Sequence, residues 1–298
     1  MTFDLTSYID KMGRLVDNAL AESLPSIGGP ANEVVEAMRY SLFAGGKRLR
    51  PLLCLAGAQA VGASPESVLP AAVALEMIHT YSLIHDDLPA MDDDDLRRGR
   101  PACHKAFGEA TAILAGDGLL TRAFGVLAEA GESGRIPADR TLSALAVLSR
   151  AAGHEGMVGG QEADVKYEGR NVSAEVVDYI HLHKTAALIR AAVVMGAVLG
   201  GGKKDRIAAL DEYGRKVGLA FQIIDDILDI EGETDALGKP VGSDQALGKA
   251  TYPAVHGVDA SRRMAAGLLT EAVDHLRDFT EDAEPLKAIA EYLLHRKT

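Results

Sequence analysis

Apolar residues recur at helical spacing along most of the chain, and no stretch alternates between apolar and polar residues as a half-buried strand would. The first such segment, residues 6–23, carries Ile9, Met12, Val16 and Leu20 on one stripe. Similar patterns predict helices over residues 31–43, 51–61, 66–87, 109–130, 138–166, 175–199, 204–230, 260–280 and 285–296. We therefore predict an all-α fold, a bundle of ten or more helices.

Two interruptions of this pattern carry information of their own. Four glycines between residues 153 and 160 lie inside the predicted helix 138–166, so we expect a kink or a close helix contact there. Residues 232–253 are rich in glycine and charge and have no clear periodicity. A loop of this length in a compact domain is usually functional, and we interpret it as a lid.

Composition indicates a single domain over residues 1–298. The chain is 47% hydrophobic, enough for a large core, and no linker divides it. The formal net charge of −12 argues against nucleic-acid binding and against a basic membrane-binding face. The most apolar window, residues 191–202, is too short to cross a bilayer, so we expect no stable membrane insertion. Two cysteines without metal-ligand spacing, and no signal-peptide pattern at the start, predict a cytoplasmic protein.

An acidic stretch follows the predicted helix 66–87, whose few polar positions indicate a central, surrounded helix. Six aspartates fall within ten residues, from Asp86 to Asp95, and run into Arg97 and Arg98. Carboxylates packed this closely repel one another, so a chain that keeps them against its core requires a compensating cation. Oxygen ligands favour Mg²⁺, which proteins commonly share between carboxylates and a substrate phosphate. A solvated acidic loop is the alternative interpretation.

A second aspartate group weakens the solvated-loop interpretation. Asp225 and Asp229 are four residues apart on the apolar predicted helix 204–230, and they lie about 40° apart on one face. Aspartate is costly to bury, so such a group is hard to explain as surface decoration. In the first cluster, Pro89 cannot continue an ordinary helix, so we expect the backbone to unwind and to turn Asp92 back. Two such clusters facing one another would hold several Mg²⁺ ions and a diphosphate.

The chain resembles the short-chain trans-isoprenyl diphosphate synthases. Its Asp-Asp-x-x-x-x-Asp at Asp86, Asp87 and Asp92 is similar to the family's first aspartate-rich motif, and its Asp-Asp-x-x-Asp at residues 225–229 is similar to the second. Further matches, in the family's order, are Gly45-Gly46-Lys47-Arg48-Leu49-Arg50-Pro51, Arg97-Arg98-Gly99, Gly160-Gln161-Glu162-Ala163-Asp164, His181-Leu182-His183-Lys184-Thr185 and Gly238-Lys239. The resemblance covers nearly the whole chain and implies the isoprenoid synthase fold, in which the helices surround a central cavity.

The resemblance also implies a reaction and its residues. An allylic diphosphate ionises, the double bond of isopentenyl diphosphate attacks the carbocation, and a proton is lost. The implied ligands of Mg²⁺, three ions per site with Mn²⁺ as an alternative, are Asp86, Asp87, Asp92, Asp225 and Asp229. Isopentenyl diphosphate would bind Lys47, Arg50, His79 and Arg98. The allylic diphosphate would bind Arg97, Lys184, Thr185, Gln222 and Lys239. The residues implied in catalysis are Asp86, Asp92, Asp225, Lys184, Thr185 and Gln222.

Product length depends on where the growing tail meets a wall. Tyr81 precedes Asp86 by five residues, about 7.5 Å along the helix axis, and Tyr81 and Ser82 match the family's chain-length positions. A bulky residue there accompanies short products in the family. The resemblance therefore implies a homodimer that condenses isopentenyl diphosphate with dimethylallyl and geranyl diphosphates to farnesyl diphosphate (C15).

Three alternatives stay open from the sequence. A geranylgeranyl (C20) diphosphate synthase would share every motif except the aromatic residue at Tyr81. A terpene cyclase would mix Asn, Ser and Glu in its second metal motif, and a noncatalytic subunit of a heteromeric synthase would have eroded aspartates or a lost basic pocket. Outside these motifs, Cys103 and His104 are interpreted as structural because the sequence offers them no metal partners. The aspartates at 93–95 and Asp117 have no assigned role.

Overall fold

The computed structural model describes residues 3–24, 28–231 and 248–296 of the chain, and helices make up most of them. The first eight are α1 (Leu5–Ser23), α2 (Asn32–Leu42), α3 (Leu49–Gln59), α4 (Leu69–Asp86), α5 (Cys103–Phe107), α6 (Glu109–Glu132), α7 (Ala138–Ala152) and α8 (Met157–Tyr167). They are followed by α9 (Ala174–Ile180), a π-helix (His181–Ala186), α10 (Ala187–Leu199), α11 (Lys204–Glu231), α12 (Tyr252–His256), α13 (Val258–Asp274) and α14 (Glu284–Leu294). Short 3₁₀ segments lie at Pro65–Val68 and Glu281–Ala283. The predicted all-α bundle of ten or more helices is confirmed.

Helices α4 and α10 lie at the centre of the bundle. Helix α4 contacts α1, α2, α3, α6 and α10, and α10 also contacts α3, α7 and α11. Most residues of both helices are buried, which explains why their sequences lack a broad polar face. Helices α3 and α10 approach closely at two glycines: a Cβ on Gly57 or Gly196 would lie 2.4 or 1.9 Å from a carbonyl oxygen of the other helix. The first aspartate cluster therefore follows a helix that is fixed by neighbours all round.

The predicted helix 138–166 is wrong in its middle, where the structure has two helices. Helix α7 ends at Ala152, residues 153–156 form a turn, and α8 begins at Met157. A Cβ on Gly156 would lie 2.2 Å from the carbonyl oxygen of Ala151, so only glycine fits this turn. A Cβ on Gly160 would lie 2.1 Å from the backbone nitrogen of Lys184. The glycines thus supply both a break in the helix and a close contact between α8 and the π-helix.

Residues 96–101, here called the arginine hairpin, form a small antiparallel ladder that the periodicity does not predict. Its strands are β1 (Leu96–Arg97) and β2 (Arg100–Pro101). Arg98 and Gly99 join them with φ angles of 55° and 73°, as a two-residue type I′ turn requires. Because the chain reverses within these two residues, the two arginines of the Arg-Arg-Gly motif reach different neighbours.

Three helical segments are apolar and long enough, by length and composition alone, to cross a membrane: Pro65–Asp86, Glu109–Glu132 and Ala174–Leu199. The sequence argument from a short apolar window is therefore wrong about length, because α9, the π-helix and α10 run on as 26 residues. Within the fold, 72% and 67% of the apolar windows of the first and third segments are buried. Burial inside the bundle accounts for the apolar composition of these two. The expectation of no stable membrane insertion stays a prediction.

The predicted lid falls largely outside the described residues, which end at Glu231 and resume at residue 248. Gly238 and Lys239, the latter a predicted contact of the allylic diphosphate, lie in the same stretch. Beyond it, the chain returns to the bundle through Lys249, which contributes to the site described next.

Candidate active site

Two adjoining cavities lie among α4, α8, α11 and the π-helix. The larger, of about 910 Å³, is mostly apolar and is called the large cavity; the other, of about 350 Å³, is called the polar cavity. They share four lining residues, Lys184, Thr185, Gln222 and Asp225. The large cavity is also lined by predicted site residues from α3 and α4: Arg50, His79, Tyr81, Ser82 and Asp86. Asp225 and Asp229 both line the polar cavity, beside Arg97 and Lys249.

The first aspartate wall is a turn at the C-terminus of α4. The helix ends at Asp86, and the backbone nitrogen of Asp92 donates to the carbonyl oxygen of Asp86 at 2.8 Å. The next nitrogen, of Asp93, donates to Leu88 at 3.1 Å. These bonds fold Asp92 back beside Asp86, as the proline at position 89 predicts. Both carboxylates act electrostatically on the ammonium of Lys184, which places them on the same side of the site.

Burial of the Asp86 carboxylate favours a cation beside the first aspartate wall. It raises the pKa of Asp86 to about 6, against an opposing effect of Lys184 and with a further raising effect of Asp92. Lys184 itself donates to Asp164 at 2.6 Å. Burial works to lower the pKa of Lys184, but Asp164 and Asp86 together outweigh that effect, so its pKa is raised and it stays protonated. The wall therefore combines a carboxyl group that resists ionisation, that of Asp86, with a lysine that is fixed in its charged form.

The second aspartate wall is the C-terminal part of α11, and its three aspartates differ in their surroundings. Asp226 is 2% exposed and is fully engaged within the protein. Its carboxylate lies 2.7 Å from His181 Nε2 and accepts from the backbone nitrogen of Tyr252 at 2.9 Å and from Gln222 Nε2 at 3.0 Å. Gln222 in turn accepts from Thr185 Oγ1 at 2.7 Å. Asp226 thus orients the glutamine and threonine that line both cavities.

The network around Asp226 was missed by sequence reasoning. The matching motif pointed to the flanking aspartates, and nothing in the local sequence shows that residues 26 positions apart will meet. Lys184 and Thr185 lie in the π-helix, a rare element that often marks functional sites. The extra residue of this turn brings both side chains to the boundary between the two cavities.

Cationic side chains neutralise both walls. Lys249 Nζ lies 3.3 Å from Asp92, and Arg296 Nη1 lies 2.7 Å from Asp225. Lys249 was missed by the sequence analysis, since one lysine in a charged loop carries no signal. The donors on the walls are carboxylate oxygens, the ligands that Mg²⁺ prefers, and the cations already drawn to them show that the walls favour positive charge. The residues present therefore fit divalent magnesium.

Asp87 differs from Asp86 in its surroundings. It is 2% exposed and accepts from Arg97 Nε at 2.9 Å. Arg97 also donates to Asp94 at 3.0 Å and itself lines the polar cavity. Neither Asp87 nor Asp92 lines either cavity, and direct metal binding by Asp87 stays a prediction. Its hydrogen bond holds Arg97 at the edge of the polar cavity, as a residue that supports the metal ligands would.

The Gly-Gly-Lys-Arg-Leu-Arg-Pro segment folds around its buried arginine. Arg48 has a φ of 50° and starts α3 in a left-handed conformation. Its guanidinium donates to Glu76 at 2.7 Å, to Asp17 at 2.9 Å and to the carbonyl oxygen of Leu42 at 2.9 Å. With Arg48 turned into the core, Lys47 is exposed at one side of the turn. Arg50, two residues after Arg48, lines the large cavity.

The predicted basic pocket contains a buried guanidinium nitrogen without a hydrogen-bond partner among the described residues. Arg50 Nε is buried and has no hydrogen-bond partner within the described residues, and burial lowers the pKa of Arg50 to about 10. Burial and the nearby arginines lower the pKa of His79 well below its ordinary value, so its imidazole is neutral. Arg98 donates to Gly45 O, and a Cβ on Gly46 would lie 2.5 Å from Arg98 Nη1. Such a cluster is a site for a buried anion.

The predicted chain-length residues lie at one wall of the large cavity. Tyr81 is 6% exposed and packs edge-on against His85, with ring centroids 5.8 Å apart. His85 Nε2 lies 3.1 Å from the carbonyl oxygen of Ile113, which also lines the cavity. Ser82 lines the cavity too, but its hydroxyl donates to His79 O at 2.9 Å. The aromatic ring and its partners therefore form part of the lining of the large cavity.

A profile of the polyprenyl synthetase family matches residues 31–293. Among similar proteins, a farnesyl diphosphate synthase from Geobacillus stearothermophilus is 48% identical over 289 residues, which are 97% of each chain. The heterodimeric geranylgeranyl pyrophosphate synthase large subunit 1, chloroplastic, of Arabidopsis thaliana is 48% identical over 300 residues, covering 99% of this chain and 80% of that protein.

Solved structures agree with these similarities. A geranylgeranyl pyrophosphate synthetase from Pyrococcus horikoshii superposes with a TM-score of 0.90 at 32% identity, covering 98% of each chain. An FPP/GFPP synthase from Zymomonas mobilis superposes with a TM-score of 0.86 at 38% identity, covering 97% of this chain and 98% of that one. The expected isoprenoid synthase fold is confirmed by these neighbours. The chain belongs to the polyprenyl synthetase family and is a prenyltransferase that elongates isoprenoid chains.

Proposed function

We propose that the protein condenses isopentenyl diphosphate with dimethylallyl diphosphate and then with geranyl diphosphate, giving farnesyl diphosphate (C15) and diphosphate. One observation carries the proposal: an apolar cavity of about 910 Å³ is lined both by Asp86 and Asp225 of the aspartate walls and by Tyr81. A diphosphate fits beside the aspartates, and a hydrocarbon tail fits the apolar lining. We propose that the Tyr81 ring limits the length of the product.

Binding of the allylic substrate is assigned to the polar cavity. Asp86, Asp92, Asp225 and Asp229 would hold Mg²⁺, which would supply positive charge to stabilise the departing diphosphate. Arg97 and Lys184 line the same cavity and donate hydrogen bonds to the diphosphate, and Lys239 is proposed to do so on the strength of the family motif. As the leaving group gains negative charge, these fixed donors stabilise it more strongly than they stabilise the bound substrate.

Thr185 and Gln222 are proposed to face the nascent allylic cation. Both line the two cavities at their junction, where the bond to the departing oxygen would break. The Thr185 hydroxyl donates to the side-chain amide oxygen Oε1 of Gln222, while Nε2 of Gln222 donates to Asp226. The oxygen atoms of the pair therefore keep partial negative charge near the cation without a nucleophile that could trap it.

Isopentenyl diphosphate is assigned to the basic pocket formed by Lys47, Arg50, His79 and Arg98. The buried and unpaired Arg50 Nε supports this, because a buried donor without a partner is destabilising until an anion binds. The neutral His79 can donate one hydrogen bond to a phosphate oxygen without adding charge. After condensation the released diphosphate accepts the proton, so the reaction needs no side-chain base.

A C20 product is the second candidate, since one of the similar proteins is a subunit of a geranylgeranyl pyrophosphate synthase. The buried Tyr81 ring favours C15, because a longer tail would have to displace it from its contact with His85. We also propose a cytoplasmic homodimer, on the strength of the family resemblance. Assaying the purified chain alone tests activity without a partner subunit, and light scattering after size-exclusion chromatography tests the dimer.

The function is tested by incubating the protein with isopentenyl diphosphate, each allylic diphosphate in turn, and Mg²⁺. Products are dephosphorylated and identified by chromatography. Farnesol as the main product supports the proposal, and geranylgeraniol as the main product would replace it with the C20 alternative. Asp225→Asn should abolish turnover while leaving the fold intact, since Asp225 is only partly buried. Condensation at the wild-type rate by this variant would contradict the assigned metal site.

A further inference from the structure

His104, on the short helix α5, is buried without hydrogen bonds to its ring nitrogens among the described residues, and the proposed function does not explain why. Its side chain is 6% exposed, and both ring nitrogens are buried without a hydrogen-bond partner among the described residues. A neutral imidazole has one donor and one acceptor, so two polar groups are left unsatisfied. Leaving such groups unsatisfied is destabilising. An unsatisfied buried group of this kind often marks an ion or water that completes its contacts.

Two carboxylates of the first acidic stretch lie next to this imidazole. One ring nitrogen of His104 and one oxygen each of Asp93 and Asp95 lie within 4.8 Å of one another. The nitrogen makes no direct hydrogen bond to either aspartate. Zinc–ligand distances of about 2.0–2.2 Å place the ligands of one ion about 3–4.4 Å apart. The three atoms, within 4.8 Å of one another, need at most a small side-chain movement to reach one ion, and the histidine nitrogen among them is buried without a partner in the described residues.

The ligand set also indicates the class of ion. Magnesium and calcium prefer oxygen ligands alone, whereas imidazole together with carboxylates suits zinc. Lys105 already pairs with Asp95 at 2.7 Å, so charge repulsion between the aspartates is partly relieved. Lys105 makes no hydrogen bond to the imidazole nitrogens, however, so both stay without a partner among the described residues.

The three residues bracket the arginine hairpin. Asp93 and Asp95 precede β1, and His104 follows β2 by three residues. The base of the hairpin is closed by one backbone bond, from the nitrogen of Ala102 to the carbonyl oxygen of Asp95 at 2.9 Å. An ion bound to all three side chains would tie both ends of the hairpin together. It would act next to the residues that carry Arg97 and Arg98.

We propose that Asp93, Asp95 and His104 bind one Zn²⁺ ion, which fastens the base of the arginine hairpin to α5. This site shares no residue with the proposed ligands of Mg²⁺, and Asp93, Asp95 and His104 line neither of the two cavities. Remaining coordination positions are open to water, since Asp95 is 75% exposed. The assignment gives Asp93, Asp95 and His104 a shared role that their sequence positions alone do not indicate.

The test measures zinc stoichiometry with excess Mg²⁺ present to fill the aspartate walls. Chelator-treated protein is titrated with Zn²⁺ against a chromophoric competitor. Asp93→Asn/Asp95→Asn removes two exposed carboxylates without touching the core, and His104→Asn removes the imidazole. His154→Asn is the matched control, since His154 is exposed and lies 3.8 Å from Glu155 without a second carboxylate.

We expect the wild type and His154→Asn to bind one equivalent of Zn²⁺ that Asp93→Asn/Asp95→Asn lacks. In hydrogen exchange, the Ala102 amide should slow by up to about 100-fold when free Zn²⁺ is about 100 times the dissociation constant, in the wild type and in His154→Asn but not in Asp93→Asn/Asp95→Asn or His104→Asn. The same zinc stoichiometry in the double variant, or no zinc bound by the wild type, overturns the proposal. Because binding is read without substrate, failure here leaves the prenyltransferase assignment untouched.

Discussion

The buried ion pair of Arg48 and Glu76 gives the sharpest quantitative prediction about the basic pocket. Glu76 is 2% exposed, and its carboxylate accepts from Arg48. Arg48→Met leaves Glu76 buried with no direct hydrogen-bonding partner among the described residues, whereas Glu76→Met leaves Arg48 its bonds to Asp17 and Leu42. The arginine variant should therefore be the more destabilised of the two.

The magnitude follows from the cost of an unpaired buried charge. Removing one partner of such a pair costs about 3–5 kcal/mol, or a fall in melting temperature of roughly 6–20 °C for a chain of this size. Arg48→Met/Glu76→Met removes both charges and should recover most of that loss. Arg190→Met is the matched control: Arg190 makes two bonds to Asp211 at the surface, and its loss should cost less than about 1 kcal/mol.

The double variant separates stability from positioning. Arg48 holds the turn from which Lys47 and Arg50 extend, so the apolar pair should restore the melting temperature but not the affinity for isopentenyl diphosphate. We expect KM for isopentenyl diphosphate to rise about 10-fold or more, with KM for the allylic substrate little changed. Scanning fluorimetry and steady-state kinetics measure the two effects. A double variant with the wild-type KM for isopentenyl diphosphate would refute the reasoning, as would an Arg48→Met variant no less stable than Arg190→Met.

Three further predictions concern the cavity and its walls. Tyr81→Ala should shift the product beyond C15, seen by chromatography of the dephosphorylated alcohols, whereas unchanged farnesol output would count against the aromatic wall. Burial raises the pKa of Asp86 to about 6 from its ordinary value of 3.8. The folded state therefore holds this proton more tightly, and the metal-free protein should lose up to roughly 3 kcal/mol of stability as the pH rises from about 4 to about 6. Urea unfolding in a chelator should show this slope in the wild type but not in Asp86→Asn. Gly160→Ala would put a Cβ 2.1 Å from the nitrogen of Lys184 and should lower kcat by up to about 100-fold, while Gly13→Ala, in open space on α1, should leave kcat unchanged.

The helical fold could be predicted because its signal is local. Apolar periodicity marks each long helix, and α4 and α10 are recognisable as central from their lack of a polar face. The break between α7 and α8 was not predicted correctly, because whether glycines end a helix or pack against a neighbour depends on the tertiary contact. Gly156 does the first, and Gly160, against the π-helix, does the second.

The site residues that could be predicted are those whose charged groups cluster in the sequence. Asp86, Asp92 and Asp225 stand out as carboxylates beside apolar helices, and each lies near a cationic side chain of the protein. Long-range partners gave no such signal. The bond from Tyr252 to Asp226 joins residues 26 apart, and the bond from Lys249 to Asp92 joins residues 157 apart. Likewise, the motif resemblance gave Asp87 a ligand role, and the sequence did not show its hydrogen bond with Arg97. That bond depends on a hairpin turn, which periodicity cannot reveal.

Product identification tests the central claim most directly. The wild-type chain, purified without any partner, is incubated with isopentenyl diphosphate, geranyl diphosphate and Mg²⁺, and the products are resolved by chain length. We expect a C15 product that requires both substrates and disappears when Mg²⁺ is chelated. No condensation with geranyl or dimethylallyl diphosphate, or a product of C20 without accumulating C15, would contradict the account.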